Sequence, residues 1–125
     1  MCKVLVIDDD KDLLEIIKSL LSKRGFNVET NNSWENGFEK IKNFNPQIIL
    51  LDVFLSGVDG LEICKQLKSG TLTSHIPILI FSAYPRIADA AIYEYGADDF
   101  IAKPFEVNDL IIKMHSMLSQ PAGLA

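Results

Sequence analysis

Cysteine is scarce in this 125-residue chain, with Cys2 and Cys64 its only two. They lie far apart, and a core of this size needs no staple, so two reduced thiols are expected rather than a disulfide or a metal site. Positive charge is also short. Twelve Lys and Arg against 17 Asp and Glu leave a net charge of −5, which argues against binding to a nucleic-acid backbone by this domain alone. The longest apolar runs, from Ile48 and from Ile76, fall far short of a membrane span. The N-terminus enters an apolar run at once, so no signal peptide is expected, and the expected compartment is the cytoplasm. Histidine is rare: His75 precedes an apolar run and His115 lies in the last helical stretch. Both read as surface or boundary residues, leaving no general base in view.

What is present is a large apolar content, 48% of residues, enough for one ordinary domain with a substantial core. Continuous apolar runs at 3–7, 47–51 and 76–81, with weaker ones at 26–30 and 99–102, read as strands. Unbroken runs are what parallel strands covered on both faces require. Between them stand stripes of helical period: Leu13, Ile17, Leu20 and Leu21; Trp34, Phe38 and Ile41; Leu61, Cys64 and Leu67; and Val107, Leu110, Ile111, Met114 and Leu118. Gly25 sits just past the first helix, and Ser33 suits the N-cap of the second. The stretch RIADAAIYEYG is helical by spacing, but Ala88, Ala90 and Ala91 stand where the other helices carry Leu or Ile. It should be the least firmly packed helix. Alternating strands and helices imply βαβ units, a parallel sheet and an α/β class. Residues 1–118 form the expected domain, and SQPAGLA at 119–125 has lost its periodicity and reads as a tail or the start of a linker.

In a parallel sheet every strand's C-terminal end lies along one edge, where ligands bind. The first strand is followed by Asp8 and Asp9, the third by Asp52, the fourth by Ser82 and the fifth by Lys103. The second ends in Thr30, Asn31 and Asn32, with nothing obviously reactive. Adjacent strands are about 4.8 Å apart, so these side chains can converge on one small volume. Clustered carboxylates repel and raise one another's pKa unless a cation sits among them. Oxygen-only donors without His or Cys favour a hard divalent ion, Mg²⁺ first. An Asp beside such an ion and a Lys can attack phosphorus to give an aspartyl phosphate, with Ser82 donating to a phosphoryl oxygen. Each piece alone has an ordinary explanation: Asp10 as a helix cap, Asp52 as a loop acid, Lys103-Pro104 as a turn. Their coincidence along one sheet edge carries the inference.

From about Lys3 to Leu118 the sequence resembles the receiver domain of two-component response regulators. The matching pieces are VLVIDDD, IILLDVFLSGVDGLEICKQLK, IPILIFSA and GADDFIAKPF, in the family's order and spacing. The resemblance implies a flavodoxin-like (βα)5 doubly wound sandwich, its five-stranded parallel sheet in the order 2-1-3-4-5. It implies that a sensor histidine kinase or phosphotransfer protein phosphorylates Asp52. Asp9 and Asp52 would bind Mg²⁺ directly, Asp8 through water, and Phe54 by its backbone carbonyl. Ser82 and Lys103 would hold the phosphoryl group. Phe100 falls at the switch aromatic, implied to turn inward when Ser82 is drawn to the phosphate. A cis peptide is implied between Lys103 and Pro104. The fourth helix, fifth strand and fifth helix would form the surface read by an output domain or downstream protein.

Some residues depart from the family pattern. Ser56 stands where many members have Pro, and bulky Phe54 and Tyr84 flank the site. The fourth helix lacks the basic residues that pair across the dimers of receivers attached to winged-helix DNA-binding domains. Asp99, Asp109 and Lys113 supply only part of that set for a phosphorylation-dependent homodimer. Other classes fit less well. Phosphatases with an Asp nucleophile resemble a D-x-D pattern whose second Asp is the general acid, but Val53 and Phe54 follow Asp52 here, so no enzyme is expected. A nucleotide- or flavin-binding module would want a glycine-rich loop where acids stand. A pseudo-receiver that only binds partners would not need the full set of Asp8, Asp9, Asp52, Ser82 and Lys103.

Overall fold

A computed structural model describes residues 2–119. Of the expected tail, only Ser119 falls among them. Strands β1 (Lys3–Ile7), β2 (Asn27–Asn31), β3 (Ile48–Asp52), β6 (Ile78–Ser82) and β7 (Asp99–Ala102) form one sheet. Its order is β2-β1-β3-β6-β7, every pairing parallel. This is the expected flavodoxin-like 2-1-3-4-5 order, counting the five main strands. The order reverses between β1 and β3, which opens the crevice where this architecture binds its ligands. A two-stranded hairpin, β4 (Phe54–Leu55) with β5 (Val58–Asp59), was not anticipated. Its turn residues Ser56 and Gly57 both have positive φ, 34° and 87°, as a two-residue hairpin loop demands.

Strand residues alternate between two cores. Val4, Val6, Leu50, Leu79 and Phe81 face Leu14, Ile17 and Leu21 of α1 (Lys11–Lys23) and Leu110, Ile111 and Met114 of α5 (Val107–Leu118). Leu5, Ile7, Ile49, Leu51 and Ile80 face Ile41 of α2 (Gly37–Phe44), Leu61, Cys64 and Leu67 of α3 (Gly60–Ser69), and Ala91 of α4 (Ala88–Tyr93). Cover on both faces is why the strands read as unbroken apolar runs. Each such side chain contributes about 1.5–3 kcal/mol of burial, so the sheet is a rigid base for what hangs on its edge.

Several local expectations need correction. The second helix begins at Gly37, and its N-cap is Asn36 in the left-handed region (φ 56°), not Ser33. Ser33 Oγ instead accepts the Glu35 N–H at 3.3 Å. Trp34 therefore precedes the helix and lies over Gly37, where a Cβ would overlap its ring. In α1, Leu14 joins Ile17 and Leu21 in the core while Leu20 is exposed, because the 3.6-residue period favours 14, 17 and 21. The Ala-rich stretch is a 3-10 turn (Pro85–Ile87) leading into only six α-helical residues, of which Ala91 alone is buried. That is the weak packing expected of it. Gly25 terminates α1 with φ 91°. Both cysteines are free, and no helix among the described residues is long and apolar enough to cross a membrane.

Candidate functional site

The acidic triplet after β1 divides its labour. Asp10 caps α1, its carboxylate accepting the N–H groups of Asp12 and Leu13 at 3.1 Å each. Asp8 and Asp9 turn to the sheet edge, where one oxygen from each and one from Asp52 lie within 4.8 Å of one another. Asp8 is fully buried, with its Oδ1 accepting the Asp10 N–H at 2.9 Å. Its backbone N–H donates to the Asn31 carbonyl at 3.1 Å. The end of β2, which had offered nothing reactive, thus helps to fix Asp8. Asp52, the last residue of β3, exposes only 9% of its side chain and accepts the Val53 N–H at 2.9 Å.

Lys103 follows β7 and reaches across two strands to this cluster. Its Nζ lies 2.6 Å from Asp8 Oδ2 and 3.4 Å from Asp52 Oδ1. Its backbone N–H donates to the Ser82 carbonyl at 2.8 Å, tying the ends of β6 and β7 together. The Lys103-Pro104 peptide is cis. Ser82 is buried at the end of β6, and its Oγ accepts the Tyr84 N–H at 3.1 Å. Its own hydroxyl hydrogen remains to donate. Phe100 is buried in the core that faces α2, α3 and α4. His75 lies at the opposite sheet edge beside Pro77 and Met117, and His115 packs against the Phe26 ring.

One ammonium faces three carboxylates, and the balance shows in Asp52. Burial raises its pKa first and the charge of Asp8 raises it further, while Lys103 and the Val53 N–H lower it, leaving it at about 6. The site is short of positive charge, its donors are all oxygen, and they are close enough to share one ion. A hard divalent cation fits that donor set.

Two contributors were not legible as functional. Ser56 donates to Asp9 Oδ2 from both its N–H and its hydroxyl, each at 3.3 Å. A proline there could offer neither, and Ser-Gly between the apolar pair Phe54-Leu55 and Val58 was the available signal for the turn. Gly60 opens α3 against the back of the site, donating its N–H to the Val53 carbonyl at 2.6 Å. A Cβ at Gly60 would overlap the Asp52 carbonyl, so only glycine lets the helix start this close to the end of β3.

Comparison with known proteins agrees with this geometry. The family model described as the response regulator receiver domain matches residues 4–115. The heme response regulator HssR of Staphylococcus epidermidis is 34% identical over 119 residues, covering 94% of this chain and 52% of that protein. The chain spans about half the length of the curated relatives it matches. Among solved structures, the receiver domain of NtrX from Brucella abortus superposes with a TM-score of 0.84 at 30% identity, over 94% of this chain and 99% of that one. The chemotaxis protein CheY4 of Vibrio cholerae shares the fold, with a TM-score of 0.85 at 24% identity over 94% and 99% of the two chains. With a family match over most of its length and a third of its residues shared with full response regulators, this chain belongs to the response regulator receiver domain family.

Proposed function

We propose that this domain is a phosphorylation-activated signalling switch rather than an enzyme that turns over a free substrate. A sensor histidine kinase or a histidine phosphotransfer protein donates a phosphoryl group, and Asp52 accepts it. The observation that carries this reading is Lys103 bridging buried Asp8 and Asp52 at the edge where Asp9 also converges. Asp8, Asp9, Asp52 and the backbone carbonyl of Phe54 would hold Mg²⁺, which supplies the positive charge this acidic cluster lacks. Oδ1 of Asp52 is engaged by Val53 and Lys103, leaving the other oxygen to attack phosphorus. Lys103 then offsets charge on the transferred group, and the Ser82 hydroxyl donates to one of its oxygens.

Output would follow from the weakly packed α4 with β7 and α5, near Phe100. Phosphorylation would shift the population of an existing alternative there, not create a new fold. An output domain or downstream protein would read this face, and the setting would be cytoplasmic. Asp99 and Lys113 pair within the chain at 3.3 Å, which leaves fewer charges for a homodimer. The test is intact mass after incubation with Mg²⁺ and acetyl phosphate. A Mg²⁺-dependent gain of one phosphoryl group, absent in Asp52→Asn, supports the reading. No gain, under conditions that label another receiver, would leave a protein-binding pseudo-receiver.

A further inference from the structure

Between α2 and α3 the surface opens into a cleft of about 540 Å³. It reaches down to Ile41 and Ile76, which are 4% and 3% exposed and belong to the core. Two apolar side chains stand at its mouth, Phe38 at 50% exposure and Leu72 at 85%. Ile76 lies just before β6, so the cleft is at the end of the sheet away from Asp52. Its opening has a local cause. Gly70 ends α3 and lines the cleft without a side chain, where a Cβ would crowd the Thr73 hydroxyl. That hydroxyl donates to the Leu67 carbonyl at 2.6 Å, which draws the 70–73 loop back against α3 and leaves Leu72 at the rim.

The charge of the lining is one-sided. Lys42 stands on the α2 wall, and no Asp or Glu lines the cleft, in a chain that carries 17 of them. A lysine in the last turn suits the helix dipole, yet this one forms no ion pair among the described residues. Asn45 and Gln66 add amide groups from the two walls. Apolar walls, a few polar groups and a volume of several hundred Å³ are the usual form of a small-ligand site. We propose that this cleft binds a small amphipathic anion, an aromatic or branched apolar body bearing one carboxylate. The body would cover Ile41, Ile76, Phe38 and Leu72, and the carboxylate would face Lys42. This site does not depend on phosphorylation of Asp52.

The test uses naphthaleneacetate and its neutral amide, naphthaleneacetamide, each titrated into isotope-labelled protein while backbone amide NMR shifts are followed. The carboxylate should bind saturably, with shifts centred on residues 38–45 and 66–76. The amide should bind about twofold to fivefold more weakly, the range for one exposed ion pair. Lys42→Gln should abolish that preference and leave affinity for the amide unchanged. Leu72→Ala should weaken both ligands about threefold to fivefold. Both substitutions fall on exposed side chains, so the fold is kept. No saturable shift at millimolar ligand, shifts centred elsewhere, or equal affinity for acid and amide would overturn the proposal. So would the same shifts on concentrating the protein alone, which would mark the cleft as an interface between two copies.

Discussion

Replacing Asp52 by Asn should stabilise the metal-free domain, and the gain should grow with pH. The carboxylate sits with 9% of its side chain exposed, beside buried Asp8, and its pKa is raised to about 6. An aspartate in the unfolded chain titrates near pH ~4, so the folded state holds this proton more tightly by about two pK units. That corresponds to about 3 kcal/mol of native-state cost once the group is ionised. With the folded pKa above the unfolded one, the cost is absent below about pH 4, develops as pH rises to about 6, and is complete above that. Asparagine keeps an oxygen for the Val53 N–H and carries no charge, so it escapes the cost. Urea unfolding in EDTA at fixed ionic strength should place Asp52→Asn about 2–3 kcal/mol above the parent at pH 8, and the two should converge near pH 4. Adding Mg²⁺ should narrow the gap at pH 8, by about 1.4 kcal/mol at roughly tenfold excess over its Kd for the parent. A variant less stable than the parent at pH 8, or a gap that widens as pH falls, would refute the electrostatic reasoning.

Lys103→Met should leave buried Asp8 without its cation and cost about 3 kcal/mol at pH 8 by the same assay, with a smaller loss once pH falls below about 6 and Asp52 is protonated. Gly60→Ala should cost about 2 kcal/mol or more, or yield no soluble protein, because its Cβ meets backbone rather than a yielding side chain. Gly25→Ala, where space is open and only the φ of 91° is violated, should cost about 1 kcal/mol. Ser56→Ala should weaken Mg²⁺ binding about twofold to fivefold by titration calorimetry, since Asp9 loses one of its two anchors. Ser56→Pro should weaken it more, because proline can neither adopt φ 34° nor supply the N–H.

The sheet and the acidic edge were legible because they rest on strong signals. Strands buried on both faces leave unbroken runs of Val, Ile and Leu, and the residue at the end of each run is fixed by counting. Asp8, Asp9, Asp52, Ser82 and Lys103 could be found that way and are brought to one edge. What was less legible depends on backbone geometry or on contacts distant in sequence. Asn36, in the left-handed region, starts α2 later than Ser33 suggested, and no side-chain pattern marks that. The Ser56–Gly57 turn folds a hairpin into what looked like loop and places two donors on Asp9. Asn31 acts through its carbonyl, which residue type cannot reveal. The six-residue α4 is short because Ala side chains offer too little burial to extend it, a weakness that composition did indicate.

The central claim is that Asp52, among three clustered carboxylates, is the one phosphorylated. It is tested most directly by labelling the protein with acetyl phosphate and Mg²⁺, reducing the acyl phosphate with borohydride, and mapping the altered residue by peptide mass spectrometry. The account predicts conversion at Asp52 alone. Modification at Asp8 or Asp9, or none under conditions that label another receiver, would contradict it.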